Sequence, residues 1–390
     1  MDLNKISVTK TGYKSPSPKH YSRYARISFN ILTTSCFLLS TQNLYATEKN
    51  HVYQSTESFS FSEVSPIKQF ADGLKGPTLD KGGLAITTSQ VELGHKIHLS
   101  DKLGGISYAI FTRYDYFLEF TNDTATVFYA DKNDLPLPQG LDYDIDLEAQ
   151  HISAHGVKFG YYGSYSKNID FQIHLSLLEA YDMLEGRLNG VLGGLGDNPS
   201  GDLELDYQYS EDKFFDREKS ELSANGYSAD IDIQWRPLDK FHVEFKGKDL
   251  FSKISWKNQD RTVGGATSNR VRFDDDGLLN VSPALSWQES ERNIGQRLPM
   301  QLKLRGDYNF TGRDTLQLET FRYDTHYFSQ IAYRHRFFKQ IYLGLSYNFD
   351  LEATGFEINT PYFKLKISAD DYDYEQAKAL SFNLGFYLPL

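Results

Sequence analysis

The chain has 390 residues, 41 Lys and Arg against 52 Asp and Glu, a formal net charge of −11 and 15% aromatic residues. That apolar and aromatic load excludes a disordered chain, and the acidic balance excludes a phosphate-reading surface for nucleic acid. A single Cys excludes a disulfide framework and zinc built on paired cysteines. No apolar stretch is long enough for a spanning helix, whereas a membrane β-barrel passes every filter because its strands are only half apolar.

The first 46 residues read as an address. Lys5, Lys10, Lys14, Lys19, Arg23 and Arg26 precede an apolar run from Ile27 to Leu39, and Leu44-Tyr45-Ala46 closes it with a small residue. This is the plan of a secretory signal peptide cut after Ala46, which sends the chain toward the outer membrane. Cys36 lies inside the apolar run, so the mature chain carries no Cys. Removing residues 1–46 takes away six basic and one acidic residue and deepens the net charge from −11 to −16. Residues 47–82 lack sustained periodicity and hold Gly73, Gly76, Pro77 and Gly82. They are expected to form a periplasmic extension or a plug in a lumen, with a loose tail as the plain alternative.

From about residue 83 the pattern is period two. Leu141, Tyr143, Ile145 and Leu147 alternate with Asp142, Asp144, Asp146 and Glu148. Leu203, Leu205 and Tyr207 alternate with Glu204 and Asp206. Tyr227, Ile231, Ile233 and Trp235 alternate with Ser228, Asp230, Asp232 and Gln234, and Leu302 and Leu304 with Lys303 and Arg305. Such segments have one apolar and one polar face. Short turns such as Thr311-Gly312-Arg313-Asp314 alternate with long polar connections, 210–226 and 258–277, the habit of outer-membrane barrels. Leu177 to Leu195 fits either a helical turn or a strand with a bulge. The last residues alternate again, Leu380, Phe382, Leu384, Phe386, Leu388 and Leu390 against polar or small partners. An amphipathic strand at the carboxyl terminus is similar to the signal read by the barrel-assembly machinery, although it ends here in Pro389-Leu390. At ~20–24 residues per strand and connection, residues 83–390 predict an all-β, antiparallel transmembrane barrel of about 14 strands, with 12 and 16 as alternatives.

The segment Gly226 to Trp256, with Gly226, Asp230, Pro237, Asp249-Leu250 and Ile254-Ser255-Trp256, resembles a strand-turn-strand of proteobacterial outer-membrane barrels of the conjugal-transfer TraF-like and fatty-acid-transporter-like groups. The closing run from Gly355-Phe356-Glu357 through Ala377-Lys378-Ala379-Leu380 is similar to their final hairpin. The resemblance implies a barrel of about 14 strands and uptake of hydrophobic compounds or surface assembly. The Asn-Pro-Ala signature of fatty-acid transporters is missing, so it does not imply long-chain fatty acids.

The polar-face charges fall into two sets. Asp142, Asp144, Asp146, Glu148, Glu204, Asp206, Asp230 and Asp232 come from early strands, and Lys303, Arg305, Arg334, Arg336, Lys364 and Lys366 from late ones. In a closed barrel early and late strands sit on opposite walls, so lumen-facing charges would create a transverse field. The competing reading places many of them on exposed extensions above the membrane. Three His-x-Ser pairs, His98/Ser100, His151/Ser153 and His174/Ser176, have a spacing that suits a base and a nucleophile, and His174/Ser176 with Glu179 is the best candidate because Phe171, Ile173, Leu175 and Leu177 define its other face. A polar lumen accounts for them as well. Asp274-Asp275-Asp276-Gly277 lacks the spaced ligands of a calcium loop. No catalytic residue, metal or cofactor is assigned. The expected function is a non-enzymatic pore or passive transporter for small or hydrophobic solutes, in contact with outer-membrane lipids and lipopolysaccharide. A structural or assembly barrel for conjugation or surface export is the alternative, and a membrane-embedded lipid hydrolase the second alternative.

Overall fold

The computed structural model describes residues 50–193, 200–211, 223–268, 271–273, 279–281, 285–338 and 340–390. The leader, Cys36, most of the 210–226 connection and the Asp274–Asp276 run lie outside them. Everything described here belongs to the unit Glu48–Leu390.

Eighteen strands follow in chain order. β1 (His51–Ser62), β2 (Leu84–Ser100), β3 (Gly104–Phe120), β4 (Asp142–Ser166) and β5 (Ile169–Gly193) form an antiparallel meander. β6 (Ser200–Tyr209) and β7 (Ala224–Leu238) both lie between β5 and β8 (Phe241–Thr267), β6 on the far half and β7 on the near half. β9 (Val271–Phe273) and β10 (Leu279–Val281) pair only with each other. β11 (Leu285–Gln296) and β12 (Gln301–Asn309) share the other edge of β8 in the same way. The circuit continues through β13 (Asp314–Tyr323), β14 (His326–Phe338), β15 (Ile341–Asn348), β16 (Ala353–Asn359), β17 (Phe363–Ala369) and β18 (Ala379–Pro389). β18 pairs along its length with β1, from His51↔Pro389 to Phe61↔Ala379, and closes the ring. Two wall positions are each shared by two strands, β6 with β7 and β11 with β12, so the 16 strands of the closed antiparallel barrel fill 14 positions.

Both ends of the ring are defined by β1 and β18. Connections at the end holding His51 and Pro389 are short, such as 167–168 and 239–240, whereas 63–83 and 121–141 at the other end are long. By the usual asymmetry these ends are periplasmic and extracellular. The outward face carries Ile106, Tyr108 and Ile110 of β3, Val157, Phe159 and Tyr161 of β4, and Ile173, Leu175 and Leu177 of β5, all strongly exposed. That is a lipid-facing band. In β18 the exposed Leu380, Phe386 and Leu388 continue it.

One expectation is corrected. Residues 47–82 are neither extension nor plug: His51–Ser62 is a wall strand, and 63–83 is an extracellular connection with a short helix, Ile67–Ala71. β1 escapes a search for apolar alternation because its outward face is Gln54, Thr56, Ser58 and Ser60. Its aromatic residues, Tyr53, Phe59 and Phe61, point inward. Of the Leu177–Leu195 stretch, the residues up to Gly193 belong to a strand with a bulge, and 194–195 lie outside the described residues.

The wall is uneven in height. β4 and β5 have 25 residues and β8 has 27, against 7 for β16 and β17, so β4, β5, β6, β8 and β11 rise above the rest as an extension. Of its two edges, that of β4 is covered. The helix Asn122–Lys132, capped by Thr121 accepting from the Thr124 N–H at 3.1 Å, supplies Asp123 Oδ2 to the Asp144 N–H and Thr124 Oγ1 to the Asp146 N–H, each at 3.0 Å. An edge occupied this way offers no template for another chain.

Candidate functional site

The lumen is stratified. Nearest the periplasm, β2 to β7 enclose an open cavity of about 450 Å³ whose walls include Lys96, His98, Tyr162, Gln172, Asp232 and Gln234. Lys96 Nζ lies over the Tyr162 ring at 4.1 Å.

Above it runs a belt of interleaved charges. On the early side Lys158 sits 2.7 Å from Glu92 and 3.7 Å from Asp230, and Tyr53 donates to Glu92 at 2.6 Å. On the late side Arg305 meets Glu244 at 2.6 Å and Asp307 at 3.4 Å, Arg334 meets Glu357 at 2.8 Å, and Lys366 meets Glu319 at 3.8 Å. Each wall carries both signs, as pairs out of water require.

The belt is crossed by a buried bridge. Arg113 of β3 donates to both oxygens of Asp249 on β8 at 2.9 Å and, through Nε, to Asp115 at 2.7 Å. Thr88 and Ser228 donate to Asp115 and Asp249 at 2.6 and 2.7 Å. All three charged residues are under 5% exposed. Asp249 has φ +57, at a bulge where the β7–β8 register slips between Ala229 and Ile231. The slip aims its carboxylate across the lumen, since β3 and β8 are separated in the wall by β4, β5 and β7.

Toward the extracellular end the lumen is apolar. Phe59 and Phe61 of β1, Phe117 of β3, Phe321 and Tyr323 of β13 and Phe328 of β14 meet across it with ring centroids 5.4–6.1 Å apart. A second apolar cluster fills the wall beside it: Leu178 and Met183 of β5, Ala224 of β7, Ile254 and Trp256 of β8, and Leu298, which turns inward between β11 and β12. Here the described part of β6 ends and β7 begins. Among the described residues the contacts at this junction are the Ser210 N–H to Met183 carbonyl at 2.9 Å, the Met183 N–H to Ser210 Oγ at 3.0 Å, and the Gln259 amide on the Tyr209 carbonyl. Between the two clusters Ile152, Leu298, Phe117 and Tyr323 close in together with Asp115, Gln150, His151 and Gln296, leaving no space for a water.

The fourteen charges singled out from the sequence fall at three heights. By register the eight acidic residues share the lumen-side face of β4, β6 and β7. Only Asp230 and Asp232 stand within the barrel. Asp142, Asp144, Asp146, Glu148, Glu204 and Asp206 lie on the extension, where Asp146 pairs with Arg187 at 2.6 Å and Asp206 with Arg261. Lys303, Arg305, Arg334, Lys364 and Lys366 belong to the belt. Arg336 sits at the periplasmic rim on the Gly312 carbonyl. The two sets therefore differ in height and do not form facing walls at one level.

No protein-family model matches the sequence, and no curated protein matches it. Among solved structures, a toluene transporter of Pseudomonas putida, TodX, superposes at TM-score 0.42 and 9% identity over 89% of this chain and 91% of its own. A toluene transporter of Ralstonia pickettii, TbuX, superposes at 0.37 and 9% over 88% and 90%. The β domain of a Bordetella autotransporter, BrkA, superposes at 0.28 and 12% over 88% and 99%. At such identities the use of the lumen has to be read from this chain's own residues.

Sequence reasoning missed the bridge and both apolar clusters. Arg113 and Asp115 were visible as polar-face residues of β3, but Asp249 joins them through a bulge that alternation does not reveal. The aromatic cluster draws on β1, read as lying outside the barrel, and on inward positions of strands whose outward faces are apolar too.

Proposed function

We propose that the protein is an outer-membrane barrel that admits small hydrophobic solutes passively and releases them sideways through its wall. The observation that carries this is the pair of apolar clusters, the aromatic one at the extracellular end and the Leu178–Met183–Trp256 one beside the junction of β6 and β7, which approach each other at Phe117, Tyr323, Ile152 and Leu298. A straight passage to the periplasm would take an apolar solute through the charged belt and the Arg113–Asp249 bridge, which is unfavourable. A hydrated ion meets the aromatic layer first. Among the described residues, lateral release requires Ser210 and Gln259 to let go of their partners. No lumen residue has to do chemistry.

On this reading the chain is exported by the leader cut after Ala46, and β18, the strand that closes the ring on β1, is what the assembly machinery reads. The test is uptake of a radiolabelled monoaromatic hydrocarbon by cells with an intact lipopolysaccharide leaflet. Cells making the folded protein should take it up several-fold faster than cells making none, without faster uptake of a sugar of similar size. Equal hydrocarbon uptake in the two strains, or sugar uptake rising in step, would sink the proposal.

A further inference from the structure

The outward face of the barrel is apolar along β3, β4 and β5 up to Val157 and Leu177, and then changes character abruptly. The next outward residues of β4 are His155, Ser153 and His151, and beside them on β5 stand Glu179 and Asp182. Titratable groups placed just above a lipid-facing band are costly unless they have a use.

Their geometry is specific. His151 Nδ1 lies 2.9 Å from the Asp115 carbonyl oxygen, which can only accept, so Nδ1 carries the proton and Nε2 is left as a base. Ser153 Oγ lies 3.4 Å from that Nε2, and Asp182 Oδ2 lies 3.8 Å from it. The carboxylate is brought there by a bulge. Ser176, Leu178 and Ala180 are buried on the lumen side of β5, and simple alternation would send Asp182 after them. Instead the register passes from Ala154↔Ala180 to Ser153↔Asp182, Tyr181 is the extra residue, and Asp182 emerges outward opposite the serine. Tyr114 and Tyr116 flank the imidazole with centroids at 4.8 and 5.6 Å. His151 and Ser153 are 5% and 7% exposed, while Tyr114 is 42% exposed.

We propose that Ser153, His151 and Asp182 form a hydrolytic site on the outer surface of the barrel that cleaves acyl esters of outer-leaflet lipid. Ser153 Oγ attacks the ester carbonyl carbon while its proton passes to His151 Nε2; the Asp115 carbonyl on Nδ1 orients the ring, and the Asp182 carboxylate, on the Nε2 side, stabilises the imidazolium through space. The tetrahedral adduct collapses with cleavage of the bond to the lipid's alcohol oxygen, which takes the proton from His151. Water then attacks the acyl-serine with His151 again as base, releasing fatty acid and restoring the serine. His155, the next outward residue of β4, is 3.3 Å from Glu179 and is proposed as the donor to the developing oxyanion. Displacement of the Tyr114 ring by lipid opens the serine.

The other two His-x-Ser pairs do not assemble in this way. His174 and Ser176 face the lumen, with Asp230 opposite His174, whereas Glu179 pairs outward with His155. His98 is held by Asp101 at 3.2 Å.

The experiment uses the folded full chain in mixed micelles, one arm with an acyl-labelled diacyl phospholipid and the other with acyl-labelled lipopolysaccharide. Fatty acid release in either arm identifies the source of the ester. Ser153→Ala should lower release about 100-fold or more, and should abolish labelling by a fluorophosphonate. Asp182→Asn should slow release and shift its pH profile, while His174→Gln leaves the rate unchanged. Folding of each variant is checked by heat-dependent gel mobility. Folded wild-type chain that releases no fatty acid in either arm, or a Ser153→Ala chain that matches it, overturns the proposal. Neither outcome bears on hydrocarbon uptake, which uses the opposite face of the wall.

Discussion

Arg113 shows what one residue does in a barrel of this width. It holds Asp115 on its own strand and Asp249 four wall positions away, and it neutralises both where water is excluded. Removing it strands two buried carboxylates. Arg113→Met is therefore expected to destabilise the barrel by about 3–5 kcal/mol, measured by urea unfolding in detergent micelles. Arg113→Lys should recover only part of this, because a point charge cannot reproduce the bidentate contact. A loss for Arg113→Met within the error of the measurement would mean the bridge is not formed. The belt gives a second test. Arg305 and Arg334 are matched to Glu244 and Glu357, so neutralising Lys303, Arg305, Arg334 and Arg336 leaves those carboxylates unopposed. The urea unfolding midpoint in micelles should fall, while hydrocarbon uptake per folded barrel, which does not cross the belt, should stay unchanged; a fall in uptake per folded barrel would place the permeation path through the belt. Residue identity was legible to this extent: alternation marked which side chains share the polar face. It did not say how high they stand, and height separates the acids of the extension from the cations of the belt.

At the scale of elements, the strands that sequence located best are those with lipid on one side. β7, β12, β15 and β18 announce themselves by outward Leu, Ile and aromatic residues. β1 does not, since its outward face is Ser, Thr and Gln beside Phe382 and Leu384 of β18. Breaks in a strand are harder still, because β6 and β7 each alternate properly and only pairing shows that they share one position. The connections have their own energetics. Lys68, on the helix of the 63–83 connection, donates to Glu375 of the 370–378 connection at 2.5 Å and fastens the two loops over the β1–β18 closure. The hydrogen bond from Lys68 lowers the Glu375 pKa, and the same bond raises that of Lys68. A carboxylate with a depressed folded-state pKa stabilises above its unfolded value and loses that contribution as pH falls through the folded one. Hydrogen exchange of the amides in Ile67–Ala71, corrected for its intrinsic pH dependence, should thus be faster below the carboxylate range than at neutral pH. Glu375→Gln should remove the pH dependence, and a rate independent of pH in the wild-type chain would rule the clasp out.

For the molecule as a whole, length and turn rhythm were enough to count wall positions, because each membrane crossing uses a nearly constant number of residues. What the wall does depends on two places where it departs from regularity, the return from β6 to β7 and the inward turn between β11 and β12. Leu298 belongs to the second and packs into the first. It stands between the aromatic cluster and the break, so its size should set the rate of lateral release. Leu298→Ala widens the route and Leu298→Trp fills it. Both changes cost stability, the first by leaving a cavity and the second by overpacking at roughly 1–3 kcal/mol. Stability loss moves both variants the same way, whereas the route moves them in opposite ways. Hydrocarbon uptake per folded barrel should rise with Ala and fall with Trp, each by several-fold. If uptake falls in both in step with the unfolding midpoint, solute does not pass Leu298. The break between β6 and β7 would then be a packing defect in the wall and not its exit.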